Sequence, residues 1–167
     1  GNGARRLMER AVPPEVTGGD FETVLTEYRD WYQAHNCVAT APYPGIPALL
    51  AALAKAGIKT AVVSNKPDAT TKTLAARFFP GLPAFGQRDD VPPKPAPDLV
   101  FRALETLGVD AADAIYVGDS EVDVATARNA GLPLAAVSWG FRGRRALAEA
   151  GAAVIVDAAA ELLEVLR

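Results

Sequence analysis

Asp119 and Asp123 stand four positions apart in the run AIYVGDSEVDVATARNAG, residues 114–131, where a short apolar stretch gives way to a segment rich in small residues. Positions i and i+4 of a helix are neighbours, so the two carboxylates form a like-charge pair. About 4 Å apart in a closed cleft they would repel by roughly 4 kcal/mol at an effective dielectric near 20. A divalent cation or a nearby ammonium removes that cost. Ser120 with Asp123 also reads as an S-x-x-D capping box, which accounts for Asp123 without a ligand but leaves Asp119 unexplained.

Two more places carry groups able to join them. The run TAVVSNK ends on Ser64, Asn65 and Lys66, and VPPKPAPD encloses Lys94 between prolines that stiffen the backbone around it. Taken singly, Ser64 or Asn65 fits a helix cap and Lys94 a solvated loop lysine. Taken together, a hydroxyl, an amide, an ammonium and two carboxylates describe a site for a phosphoryl group. Mg²⁺ favours a few carboxylates plus water and a phosphate oxygen. A lysine meets the charge that spreads over the equatorial oxygens in the transition state.

The elements that must position these groups follow from the apolar pattern. Residues 1–38 read as helical: RRLMERAV runs up to Pro13-Pro14, and residues 19–36 space Phe21, Val24, Leu25, Tyr28 and Tyr32 along one helical face. ATAPYPGIP then supplies three prolines and a glycine, which suits a hinge. From there helices and strands alternate. ALLAALAKAG is a helix stopped by Gly57, IKTAVVS a strand, KPDATTKTLAARFF a helix with Pro67 in its first turn, and PAPDLVFRALETLG a helix stopped by Gly108. AIYVG, PLAAVS and AAVIVD are strands, separated by the helices EVDVATARNAG and RRALAEAG and followed by AAELLEVLR. Strands joined by helices require right-handed crossovers and a mostly parallel sheet. The expectation is an α/β core over residues 41–167 behind a partial helical cap over residues 1–40. In such a sheet, ligands bind outside the carboxyl ends of the strands, where Ser64 and Asp119 fall.

Bulk composition narrows the function class. Of 167 residues half are hydrophobic and 22% charged, a globular profile, and the net charge of −3 shows no basic bias toward nucleic acid or an anionic membrane. Cys37 is the sole cysteine, so no intrachain disulfide can form. No apolar run approaches the roughly 20 residues of a membrane span, and the first ten residues show no signal-peptide region. A cytoplasmic location is the default expectation.

At VVSNK, KPAPD and VGDSEVDVATARNAG the chain resembles the second, third and fourth motifs of the haloacid dehalogenase superfamily, most closely its phosphoglycolate-phosphatase-like branch. The likeness extends over YPGIPALLAALAKAGIKTAVVSNK, over VSWGFRGRRALAEAGAAVIVDAAAELLEVL and, as part of the small helical cap, over GNGARRLMERAV. It implies a Rossmann-like parallel sheet flanked by helices and a Mg²⁺-dependent phosphatase of small phosphorylated metabolites. It also implies roles. Ser64 would hydrogen-bond the transferring phosphoryl oxygens, with Asn65 beside it, and Lys94 would neutralise developing charge and hold the nucleophile. Asp119 would bind Mg²⁺ directly, and Asp123 would support the metal or Lys94.

The family's reaction starts from an aspartate in a D-x-D motif at the end of the first strand. None of the eleven aspartates here has another two positions away. The expectation is therefore a chain that lacks the nucleophile and its strand and does not turn over alone. That strand would lie between those ending at Ser64 and Asp119, filled by an upstream segment or closed by direct pairing of its neighbours. A phosphosugar mutase, a dehalogenase and a non-catalytic phosphate-binding module remain alternatives. His35 reads as a surface residue and Trp31 and Tyr32 as cap packing. Trp139 and Phe141 read as cleft edge or packing, and Gly1, Asn2 and Gly3 as a loop that could face substrate.

Overall fold

The computed structural model describes residues 3–166. Two helices come first, α1 (Gly3–Ala11) and α2 (Gly18–His35), and then the alternation begins with α3 (Ile46–Lys55). It continues through β1 (Val62–Pro67), α4 (Asp68–Phe78), β2 (Ala84–Gln87), α5 (Asp98–Leu107) and β3 (Tyr116–Gly118). It closes with α6 (Glu121–Ala130), β4 (Leu134–Val137), α7 (Arg144–Glu149), β5 (Val154–Val156) and α8 (Ala159–Val165). Every strand pair is parallel. The α/β class and the parallel sheet are as the alternation requires.

The pattern reading missed β2. Its four residues, AFGQ, include no β-branched side chain and one glycine, so nothing in them announces a strand. Tertiary contact makes it one. Gly86 lies so close to α4 that a Cβ would sit 2.4 Å from the Asp68 Cα, and the Gly86 N–H donates to Asp68 Oδ1 at 3.0 Å. Pro67 is also placed differently: it closes β1 and precedes α4, where its fixed φ suits an extended residue.

The strands form two blocks, β1-β2 and β3-β4-β5, and no ladder joins β1 to β3 among the described residues. Direct pairing of the two strands, one of the two outcomes expected for the central position, does not occur. Helices cover both faces of the larger block. On one side Leu49 and Leu53 of α3 and Leu162 of α8 pack on Ala135, Val137 and Val156. On the other, Val100 of α5 and Ala127 and Ala130 of α6 pack around Tyr116. Small residues on α6 let its backbone approach the strands, and Ala135 and Ala136 of β4 have no exposed surface at all.

The leading helices are thinly packed. α1 buries no residue and α2 buries only Phe21 and Leu25. Arg5 ties the two together through Glu22 at 2.7 Å and lies over the Phe21 ring. Trp31 is 61% exposed and stacks on His35, so it is a surface residue instead of cap packing. Tyr32 points at the strands: its hydroxyl accepts a hydrogen bond from Lys66 Nζ at 2.9 Å. No helix among the described residues is long and apolar enough to cross a membrane.

Candidate active site

Where β1 and β3 end, the chain passes into α4 and α6. Ser64, Asn65, Lys94, Asp119 and Asp123 all line one cavity of about 620 Å³ there, and residues of α1 and α2 line it too. A smaller, mostly apolar cavity of about 190 Å³ beside α4 shares Ser64 and Lys66 with it. Gly3 lines the large cavity, while Gly1 and Asn2 lie outside the described residues.

Lys94 is the centre of this arrangement. Its side chain is 12% exposed, so it is no solvated loop lysine. Nζ donates to Asp123 Oδ1 at 2.8 Å, to the Tyr116 hydroxyl at 3.1 Å and to the Val63 carbonyl at 3.4 Å. One ammonium thus bridges β1 and β3, the two strands that no ladder joins. Burial works against the charge, but Tyr116 and Asp123 outweigh it and hold the Lys94 pKa above the usual lysine value. Asn65 fixes the loop from below. Its Oδ1 accepts from the Lys94 N–H at 2.8 Å and its Nδ2 donates to the Lys94 carbonyl at 3.0 Å. The amide therefore positions the lysine through its main chain.

Asp123 is 5% exposed and both its oxygens are filled. Oδ1 accepts from Lys94 and from the Tyr116 hydroxyl at 3.1 Å; Oδ2 accepts from Ser120 Oγ at 2.6 Å and from the Asp119 N–H at 3.2 Å. Burial alone would raise its pKa, yet Lys94, Ser120 and Tyr116 together hold it below the ordinary carboxylate value. Tyr116, by contrast, is pushed up to about 12, chiefly by burial, so its hydroxyl stays protonated. The capping-box reading is revised in detail, because Ser120 makes no side-chain bond to the helix backbone and donates to Asp123 instead.

Asp119 faces the cavity with a freer carboxylate. Oδ2 accepts the Phe141 N–H at 2.8 Å, and Oδ1 makes no hydrogen bond among the described residues. Ser64 Oγ accepts from the Lys66 N–H at 3.1 Å, which leaves its own proton for another partner. No cluster of three or more His, Cys, Asp and Glu side chains gathers as a metal site among the described residues. Magnesium does not need one: one or two carboxylates with water and phosphate oxygens complete its shell. Asp119, with one open oxygen on the cavity, fits that demand, and Asp123 fits the supporting place behind it.

Three contributors escaped the sequence reading. Tyr116 looked like one more apolar strand residue, and only its buried hydroxyl between Lys94 and Asp123 shows otherwise. Gly118 lies where a Cβ would be 2.2 Å from the Asp123 Cβ, and Gly140 where one would be 2.1 Å from Asp119 Oδ2. Each carboxylate folds against a glycine. Gly118, beside Asp119, could have been suspected, whereas Gly140 stands 21 positions downstream with no local signal. The loop that carries Gly140 is also tied by Arg142, which makes a two-pronged pair with Glu121 at 2.9 Å. Trp139 packs against the core beneath, while Phe141 is 91% exposed at the cavity edge.

Comparison with known proteins returns a consistent answer. Residues 1–131 match the family model of haloacid dehalogenase-like hydrolases. The chain is 34% identical, over 98% of its length and 74% of the relative's, to the N-acetylmuramic acid 6-phosphate phosphatase of Pseudomonas aeruginosa. It is 32% identical to the phosphoglycolate phosphatase of Pseudomonas savastanoi pv. phaseolicola, covering 94% of the chain but 60% of that enzyme. A solved structure from Lactobacillus delbrueckii subsp. bulgaricus, provisionally named a phosphoglycolate phosphatase, superposes with a TM-score of 0.93 at 35% identity, over 99% of this chain and 79% of that one.

Proposed function

Because the chain belongs to the haloacid dehalogenase-like hydrolases, in their phosphoglycolate-phosphatase-like branch, we propose that it is the greater part of a Mg²⁺-dependent phosphomonoesterase for small phosphorylated metabolites such as phosphoglycolate. Residues 1–40 serve as a helical cap and residues 41–167 as the core that holds phosphate. The observation that carries the reading is the buried Lys94 ammonium, locked by Asp123 and Tyr116 on the same cavity as Ser64 and Asp119.

Phosphoryl transfer asks little covalent chemistry of a protein and much positioning and charge stabilisation. Lys94 is held charged and fixed in place by three acceptors, so its positive charge is already positioned as charge builds on the phosphoryl oxygens. Ser64 donates its free hydroxyl proton to one of those oxygens. Asn65 keeps the Lys94 main chain in register, and Asp123 keeps its ammonium in place while orienting the Asp119 N–H. Asp119 and, behind it, Asp123 would hold Mg²⁺, which supplies neutralising charge to the phosphate when bound. The nucleophilic aspartate of the family's reaction comes from none of the eleven aspartates here. A strand seated between β1 and β3 and ending in D-x-D would bring it beside Lys94. Without that strand the same residues bind phosphate and do not turn it over.

Phosphate release from a panel of phosphomonoesters, with and without Mg²⁺, tests the reading. The 167-residue chain should release none. The chain extended at its N-terminus by a strand ending in D-x-D should release phosphate only with Mg²⁺. Release by the unextended chain, or release indifferent to Mg²⁺, contradicts the roles assigned.

A further inference from the structure

The loop that delivers Lys94 is short of main-chain donors. Residues 91–97 read VPPKPAP, and Pro92, Pro93, Pro95 and Pro97 have no N–H to give. Of the three N–H groups left, those of Val91 and Ala96 close turns inside the loop, on the Arg88 and Pro93 carbonyls at 3.3 and 3.0 Å. The third, that of Lys94, goes to Asn65 Oδ1. No main-chain bond joins residues 91–96 to a strand among the described residues.

Side-chain amides from three elements take over. Gln87, the last residue of β2, donates through Nε2 to the Arg88 carbonyl at 2.7 Å and to the Val91 carbonyl at 2.8 Å. Asn65 of β1 holds the Lys94 carbonyl at 3.0 Å. Asn129, in the last turn of α6, donates through Nδ2 to the Pro95 carbonyl at 2.9 Å. Using its nitrogen twice leaves Gln87 Oε1 buried with no partner among the described residues, a cost that the two carbonyl bonds must offset. Asn65 and Gln87 belong to the β1-β2 block, and α6 packs on the β3-β4-β5 block, so the loop is held from both at once. Its lysine then bridges the same two blocks, from the Val63 carbonyl to Asp123. We propose that Gln87 and Asn129 are positioning residues that act through Lys94, setting together with Asn65 where the proline loop presents its ammonium. Neither lines the cavity, so each works only through the main chain it holds. The inference rests on the reading of Lys94 as the cation that meets phosphate.

The test pairs two measurements on the 167-residue chain: proton–carbon spectra with labelled lysine, using Lys94→Met to assign the Lys94 ε-methylene, and calorimetric titration with inorganic phosphate in Mg²⁺. In the wild type the two ε-protons should give separate signals, because the ammonium is fixed 5.8 Å from the Tyr116 ring centroid. In Asn129→Ala and in Gln87→Met the two should draw together toward the position of an exposed lysine. Phosphate should bind about fivefold more weakly, the worth of one lost hydrogen bond. Gln33→Met, at an exposed amide on α2, should change neither. Asn129 is exposed, so its variant keeps the fold and decides the matter if Gln87→Met does not fold. Signals and affinity both unmoved in Asn129→Ala overturn the proposal, and so does either change without the other. No binding of inorganic phosphate by the wild type counts against the phosphomonoesterase reading instead, and the ε-proton signals still decide whether the amides place Lys94.

Discussion

Removing either partner of the Lys94–Asp123 pair should destabilise the fold, and the two removals should not be equal. Asp123→Ala takes away the one carboxylate that pairs, among the described residues, with a side chain 12% exposed, leaving the ammonium with the Tyr116 hydroxyl at 3.1 Å and the Val63 carbonyl at 3.4 Å. An uncompensated buried charge of this kind costs about 3–5 kcal/mol. Lys94→Met leaves Asp123 with three donors, Tyr116, Ser120 and the Asp119 N–H. A carboxylate so well supplied loses less, about 1–3 kcal/mol. The double variant removes both charges and should cost at least about 1 kcal/mol less than the sum of the singles, since residues in contact are coupled.

Urea unfolding of the four proteins at neutral pH measures these differences, and pH sets a second constraint. The folded Asp123 pKa lies below its unfolded value near 3.8, so its contribution is full above that value and lost as pH falls through the lower folded one. Lys94 runs the other way. Its folded pKa lies above the unfolded value near 10.5, so its contribution is full below that value and lost as pH rises through the higher folded one. K94M/D123A should lack both dependences. A Lys94→Met cost equal to or larger than that of Asp123→Ala, or strict additivity in the double variant, would refute the reasoning.

Gly140→Ala should push Asp119 off the Phe141 N–H, because the new Cβ would lie 2.1 Å from Oδ2. The expected result is Mg²⁺ affinity reduced about tenfold, read by calorimetry, since a misoriented ligand loses a kcal/mol or so. Gly118→Ala forces its Cβ to 2.2 Å from that of Asp123 and should cost about 1–3 kcal/mol in a urea melt, the ordinary penalty of overpacking. Asp119→Asn should weaken Mg²⁺ binding while leaving thermal stability nearly unchanged, because the side chain is half-buried and its one bond can be kept by an amide oxygen. Tm and calorimetric affinity together separate that outcome from a folding defect.

The sequence made the strand-end chemistry legible because apolar strands and the polar residues after them are contiguous. TAVVSNK and AIYVGDS each carry their element and its cargo in one run. Lys94 was joined to the same rim by its charge and its proline-stiffened loop, yet its burial was not legible, since nothing local separates a buried loop lysine from a solvated one. Asn65 was placed near phosphate by adjacency to Ser64, yet its amide spans to the Lys94 main chain, 29 positions away, which no local pattern encodes. β2 was hidden because its strand character comes from contact with α4 and β1, not from its own four residues. Gly140 was hidden because a missing Cβ matters only once Asp119 is known to lie against it.

The thin packing of α1 and α2 has an energetic consequence. Two buried side chains, Phe21 and Leu25, contribute on the order of 3–6 kcal/mol between them. The Lys66–Tyr32 hydrogen bond adds about 1 kcal/mol. A ligand at a hundred times its Kd contributes about 2.7 kcal/mol to whatever state binds it. Occupancy and intrinsic packing are then comparable in weight, so the leading helices report on the cavity. Limited proteolysis at the segments flanking α2, residues 12–17 and 36–45, should therefore slow when phosphate fills the cavity.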